Sequence, residues 1–217
     1  MFAVIFEVQP KPDRWQHYLD LAKLLRPELE QIDGFVDNER FASQRTSGRL
    51  LSLSTWRDEK ALVRWRTLAV HHEVQRRGRF EIFADYHLRV GEITADTHLP
   101  PGHDLRPTRF DVTEVGQARV LAIAELTAPD PSGRAAFIPP SIGQSDGLVD
   151  VECFESITTP GKLLWLAAWR DETALAAWRS RRQPPTSAGA VRQRAVRIIR
   201  DYGLADRREA PQYYPPV

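Results

Sequence analysis

Apolar and polar positions alternate along the chain in blocks whose period changes. Phe2–Val8 is rich in β-branched and aromatic residues and stops at Pro10, the mark of a strand. Trp15, Tyr18, Leu19, Ala22, Leu25 and Leu29 then recur at three- and four-residue spacing, which predicts a helix with one apolar face. Asp13 is placed to cap that helix, with Gln16 as its capping-box partner, and Gly34 ends it. Phe35–Arg45 and Arg49–Trp56 flank a Ser47-Gly48 turn and read as a hairpin. Asp58 caps a second helix whose inner face holds Ala61, Leu62, Trp65 and Leu68, and Asp85–Thr94 closes the unit as a fourth strand. Strand, helix, strand, strand, helix, strand is the order of a ferredoxin-like α+β domain.

The same pattern occurs twice. Gly34–Arg66 aligns without a gap on Gly147–Arg179, and 19 of the 33 positions are identical. Both copies carry Trp-Arg-Asp-Glu followed by Ala-Leu and Trp-Arg, and Phe6-Glu7-Val8 has a weaker echo in Ala124-Glu125-Leu126. A tandem duplication follows, with a first domain at 1–95, a linker at 96–117, a second domain at 118–206 and a Pro/Tyr-rich tail at 207–217. A ferredoxin-like sheet has helices on one face only, so its other face needs a cover. Two such antiparallel sheets in one chain can cover each other as an intrachain pseudo-dimeric α+β barrel. The second copy's first helix is interrupted by Pro139-Pro140, and Pro184-Pro185 stops its second, so that copy reads as eroded. The tail is expected to lie as an arm against a surface or a partner.

Composition narrows the function without naming it. Net charge is +1 over 217 residues, so the molecule as a whole is no polyanion binder, and the Arg76–Arg79 and Arg179–Arg182 runs read as solvated helix faces. No nucleic-acid partner is expected. The short apolar N-terminus and the lack of a long apolar run predict a soluble, cytoplasmic protein that does not enter membranes. Cys153 stands alone, which rules out an intrachain disulfide and a cysteine-rich zinc site. Six histidines include the adjacent pair His71-His72, poor geometry for one metal ion, so no metal site is expected. No phosphate loop, Rossmann fingerprint or serine elbow is present.

The WRDE-x-AL-xx-WR junction resembles the antibiotic biosynthesis monooxygenase superfamily. So does the run His71-xxx-Gln75-Arg-Arg-Gly-Arg79 that leads into Phe83, Tyr86, Arg89 and Val90. The resemblance implies a dimeric α+β barrel, and either cofactor-free oxygenation of anthrones and quinols or haem degradation. The haem-degrading branch is similar in using a strand Asn, a helix Trp and a His about ten residues later. Trp65 matches the Trp, but Ile5 occupies the Asn position and Val74 and Gln75 stand where the His would be. Haem therefore stays an alternative, through His71.

Three functions fit. The first is a cofactor-independent monooxygenase acting with molecular oxygen on an aromatic, quinol- or anthrone-like small molecule. There His71 is the base that takes a phenolic proton and Trp65 stands beside it. Trp56, Tyr86, Arg79 and Glu7 are the candidate substrate-binding residues. Against these stand a helix-end imidazole, core tryptophans repeated as Trp169 and Trp178, and a structural ion pair for Glu7, which Glu125 repeats. The second function is a haem-binding or haem-degrading protein. The third is a non-enzymatic module for a small molecule or protein. The tandem chain is open to further pairing as a homodimer.

Overall fold

The computed structural model describes residues 1–127, 142–181 and 191–212. The first copy runs β1 (Phe2–Pro10), α1 (Trp15–Glu30), β2 (Phe35–Ser43), β3 (Leu50–Trp56), α2 (Glu59–Thr67), α3 (Ala69–Arg77) and β4 (Phe83–Asp96). The second contributes β5 (Val120–Thr127), β6 (Leu148–Ser156), β7 (Lys162–Trp169), α4 (Glu172–Ser180) and β8 (Val191–Gly203). The proline-interrupted helix expected at 132–142 lies outside the described residues except for Ile142, which opens a short 3-10 turn. No helix among the described residues is long and apolar enough to cross a membrane.

The eight antiparallel strands close in the order β1-β3-β2-β6-β7-β5-β8-β4. The two sheets therefore join edge to edge, as one α+β barrel. One seam is long, with β4 paired to β8 from His87–Gly203 to Asp96–Arg194. The other is three residue pairs between Phe41–Ser43 of β2 and Phe154–Ser156 of β6. Inward positions Ile5, Phe41 and Leu53 of the first copy meet Ile123, Phe154 and Leu166 of the second in one apolar core. Each such side chain contributes about 1.5–3 kcal/mol when fully buried. This is the mutual cover that a sheet with helices on one face requires.

Local chemistry explains why the repeat is so well kept at its helix start. Asp58 Oδ1 accepts the Ala61 N–H at 2.8 Å, and Asp171 Oδ1 accepts that of Ala174 at 2.7 Å. Gly34 and Gly147 have positive φ, and a Cβ there would stand 2.6 and 2.4 Å from Ala61 Cβ and Ala174 Cβ. The Gly–Ala pair lets the strand enter against the helix in both copies. The expected Asp13 cap is absent. A 3-10 turn, Pro12–Arg14, precedes α1, neither helix start has a side-chain cap, and Gln16 donates to Asp20 instead. The second helix also differs from expectation, because it breaks at Leu68 (ψ 127) into α2 and α3. Thr67 Oγ1 bonds back to the Val63 carbonyl at 2.9 Å, a contact that competes with helix continuation.

Both ends of the barrel interior hold charge. Glu7 accepts from Arg89 and, at 2.5 Å, from Arg49, which lies 4.0 Å from Glu152 of the second copy. Ser43 donates to that same Glu152. The second copy repeats the arrangement: Glu125 pairs with Arg194 and, at 2.7 Å, with Lys162, which reaches Glu39 of the first copy at 2.5 Å. Ser156 donates to Glu39 at 2.5 Å. Burial pushes the Glu125 carboxyl up, but Arg194 and Lys162 outweigh it and hold the group below its ordinary value. Arg194 is 1 % exposed, so it cannot be left without its partner. Glu125→Leu is expected to cost about 3–5 kcal/mol, and adding Arg194→Met to recover most of it, as read from urea unfolding midpoints.

Candidate functional site

The outer face of the first sheet lies under α1, α2 and α3, and most of the predicted site residues are there. Two apolar clusters fill this layer. One gathers Phe2, Leu29, Trp56, Leu62, Val90 and Trp65, and the other Tyr18, Phe83, Tyr86, Val74 and Tyr202, with Leu88 packed against both. Tyr18, Phe6 and Tyr86 surround Phe83 and one another at centroid distances of 5.6–6.2 Å. The layer is thus a packed, aromatic-rich seam between sheet and helices.

His71 sits on α3, past the break at Leu68, and the chain folds it back over Trp65. The two rings stack at 3.9 Å with 17° between their planes. His71 Nδ1 is 2.8 Å from the Trp65 carbonyl oxygen, an acceptor, so Nδ1 carries the proton and Nε2 the lone pair. The Gln75 amide nitrogen lies 3.4 Å from that Nε2. Burial pushes the imidazole pKa down to about 4, against the carbonyl bond that would raise it. With that pKa the ring is uncharged at neutral pH. A haem ligated through Nε2 would first have to displace the Gln75 amide from that lone pair.

The other predicted residues separate by depth. Tyr86 is buried, accepts a hydrogen bond from Arg207, and has its phenol pKa raised by burial in spite of Arg207 and Arg79 nearby. Arg79 lies over the exposed Phe80 ring at 4.2 Å, at the rim. Trp56 is 0 % exposed and packs against Phe35, with its indole N–H donating to Ser54 Oγ at 2.9 Å, which is core packing. Glu7 is on the opposite face of the sheet, inside the barrel and 4 % exposed, bound to Arg89 and Arg49. Among the described residues no three His, Cys, Asp or Glu side chains are grouped as a metal site would need.

Three further residues beside this layer escaped the sequence reading. Tyr202 comes from the far end of β8, because the long seam with β4 carries that strand across to the first copy. Burial pushes its phenol up to about 12. Arg207 and Arg66 are the other two. The chain after β8 runs as an arm against this layer: Leu204 and Ala210 pack on the aromatic cluster, Leu204 N–H donates to the Tyr86 carbonyl, and Arg66 reaches the Gln212 carbonyl at 3.1 Å. The only sequence signal was the proline- and aromatic-rich tail. A cavity of about 170 Å³ lies elsewhere, between Ser145–Asp146 and α4. Its Arg170 already pairs with Asp171 and Asp146, so it offers little to a ligand.

The sequence profile of the antibiotic biosynthesis monooxygenase family matches residues 1–77. The chain is 40 % identical over 228 aligned positions to the jasmonate monooxygenase ABM of Pyricularia oryzae (strain 70-15), with all of both chains covered. Among solved structures, an aldoxime dehydratase (OxdRE) crystallised with butyraldoxime superposes with a TM-score of 0.56 at 11 % identity, over 94 % of this chain and 80 % of that one. An antibiotic biosynthesis monooxygenase gives 0.38 at 19 % identity, over 42 % and 95 %. The likeness to the aldoxime dehydratase concerns the fold alone.

Because folding holds the His71 pKa below the ordinary 6.5, its contribution to stability is complete above about pH 6.5 and is lost as pH falls toward 4. His71→Gln should therefore be less stable than wild type at pH 7.5, with the difference shrinking by pH 4.5. Paired urea titrations at the two pH values check this.

Proposed function

Because this chain belongs to the antibiotic biosynthesis monooxygenase family, we propose that it is a monooxygenase whose substrate is a small, largely apolar carboxylic acid of the jasmonate kind, held at the first copy's aromatic layer. The observation that carries the reading is the aromatic layer itself: Trp65, Phe83, Tyr86 and Tyr202 gather between sheet and helices, with an uncharged imidazole stacked on Trp65. Such a layer suits a hydrocarbon frame with few polar groups. The full-length relative named for jasmonate oxygenation supports the substrate class. In this reading Trp65 and Tyr86 touch the substrate. His71 is a positioning residue that fixes the Trp65 ring and the α2–α3 corner.

The alternative substrate is a quinol or anthrone, and the two differ in where electrons come from. Placing one oxygen atom of O₂ in a C–H bond and reducing the other to water takes two electrons beyond those of the C–H bond. An anthrone can supply reducing electrons from its own carbanion, whereas a saturated jasmonate carbon needs an external donor. No redox group of the protein is assigned to that task.

The purified chain is incubated with jasmonate and ¹⁸O₂, with and without a reduced nicotinamide and a reductase, and the products are weighed by mass spectrometry. The expected product is jasmonate carrying one labelled oxygen, formed only with the donor. Oxidation of an anthrone without any donor, together with untouched jasmonate, would overturn this proposal in favour of the aromatic substrate. Trp65→Ala should lower turnover at least about tenfold, by removing an aromatic wall and the seat of His71.

A further inference from the structure

Arginine in this molecule is habitually matched with a carboxylate. Buried Arg89 and Arg194 pair with Glu7 and Glu125, and even exposed Arg57, Arg76 and Arg208 have Asp33, Glu73 and Asp206. Arg40 and Arg119 are exceptions, Arg119 resting on backbone carbonyls, but the exceptions gather around Tyr86 and Tyr202. Arg66, Arg79, Arg200 and Arg207 have no carboxylate within ion-pair distance among the described residues. Their partners are neutral: Arg207 donates to the Tyr86 hydroxyl and lies 5.9 Å from the Tyr202 ring, Arg66 donates to the Gln212 carbonyl, and Arg200 to the Glu209 carbonyl at 3.5 Å.

The acids nearest in the chain are committed elsewhere. Asp206 binds Arg208, Glu209 accepts from Thr113 and from the Glu114 and Asp201 N–H groups, and Asp201 binds His87. The aromatic layer thus has an edge of positive charge at which Arg207, Arg66 and Arg200 spend hydrogen-bond donors on uncharged oxygens. A guanidinium gains roughly twice as much from a carboxylate as from a neutral acceptor, and can take it through two N–H groups at once.

We infer that Arg207 and Arg66, beside the Tyr86 and Tyr202 hydroxyls, form the anchor for the carboxylate of a small apolar acid, with the Tyr86 hydroxyl and the Gln212 carbonyl as stand-ins that the acid displaces. The anchor would come from both copies at once, since Arg66 is on α2 and Arg207 is on the arm after β8. For the identity of the acid this rests on the substrate class proposed above; the anchor itself does not.

The test is calorimetric titration of the full chain with jasmonate, its methyl ester and octanoate. Wild type is expected to bind jasmonate about ten- to a hundredfold more tightly than the ester, the range for a hydrogen-bonded charge. Arg207→Gln should bring jasmonate down to the level of the ester and leave the ester unchanged, and Arg66→Gln should act in the same direction. Circular dichroism melts confirm that each variant is folded. If octanoate binds in an Arg207-dependent way and jasmonate does not bind, the anchor stands and the jasmonate reading falls. Should jasmonate bind equally to wild type, Arg207→Gln and Arg66→Gln, the anchor is overturned and the substrate reading survives. Equal affinity of wild type for acid and ester also overturns it.

Discussion

The barrel depends on charges that have no place to go but each other. Glu7 and Glu125 are sealed inside, and each is held by an arginine from the last strand of its own copy. The hairpin cations Arg49 and Lys162 then extend each group toward Glu152 and Glu39, carboxylates of the opposite copy. Apolar side chains alone would tolerate several ways of closing two sheets on each other. Buried ions do not, since a slip of register leaves some of them unmatched at a cost of several kcal/mol each. The ionic ends thereby select one closure, and the apolar middle supplies most of the stabilisation.

From that closure the site follows. Joining β4 to β8 over a long seam brings the second copy's last strand past the edge of its own sheet and under the first copy's helices. Tyr202 arrives by this route, and the arm that continues from it lays Arg207 on Tyr86. The break between α2 and α3 supplies the remaining element, turning His71 back onto Trp65. Seam, arm and corner each involve different residues, yet they meet in one aromatic layer.

Much of the architecture was legible in the amino-acid sequence because it is locally encoded. The Asp58 and Asp171 caps, the Gly34 and Gly147 turns and the apolar spacing of α1 all act within a few residues of themselves. The site was legible only in part. Trp65, His71 and Tyr86 lie in one stretch of chain and could be picked out together, whereas Arg207 and Tyr202 are more than a hundred residues away and enter through strand pairing. Trp56 and Glu7 were open between chemistry and structure, and strand position encloses both, Trp56 in core packing and Glu7 in the ion pair its repeat Glu125 suggested. The imidazole's low basicity likewise comes from burial, which spacing does not encode.

The two copies are fused but no longer alike, and the indoles show what that permits. Trp56 has Ser54 as a partner for its N–H, whereas Ala167 stands at the matching place beside Trp169, whose indole N–H has no partner among the described residues. A homodimer of identical subunits must accept every substitution twice, once in each site. A single chain carrying both halves escapes that rule: one half can be optimised for a ligand while the other drifts, lends a strand, or contributes an arm to its neighbour. Symmetry here is an inheritance of the scaffold that the chemistry no longer has to obey.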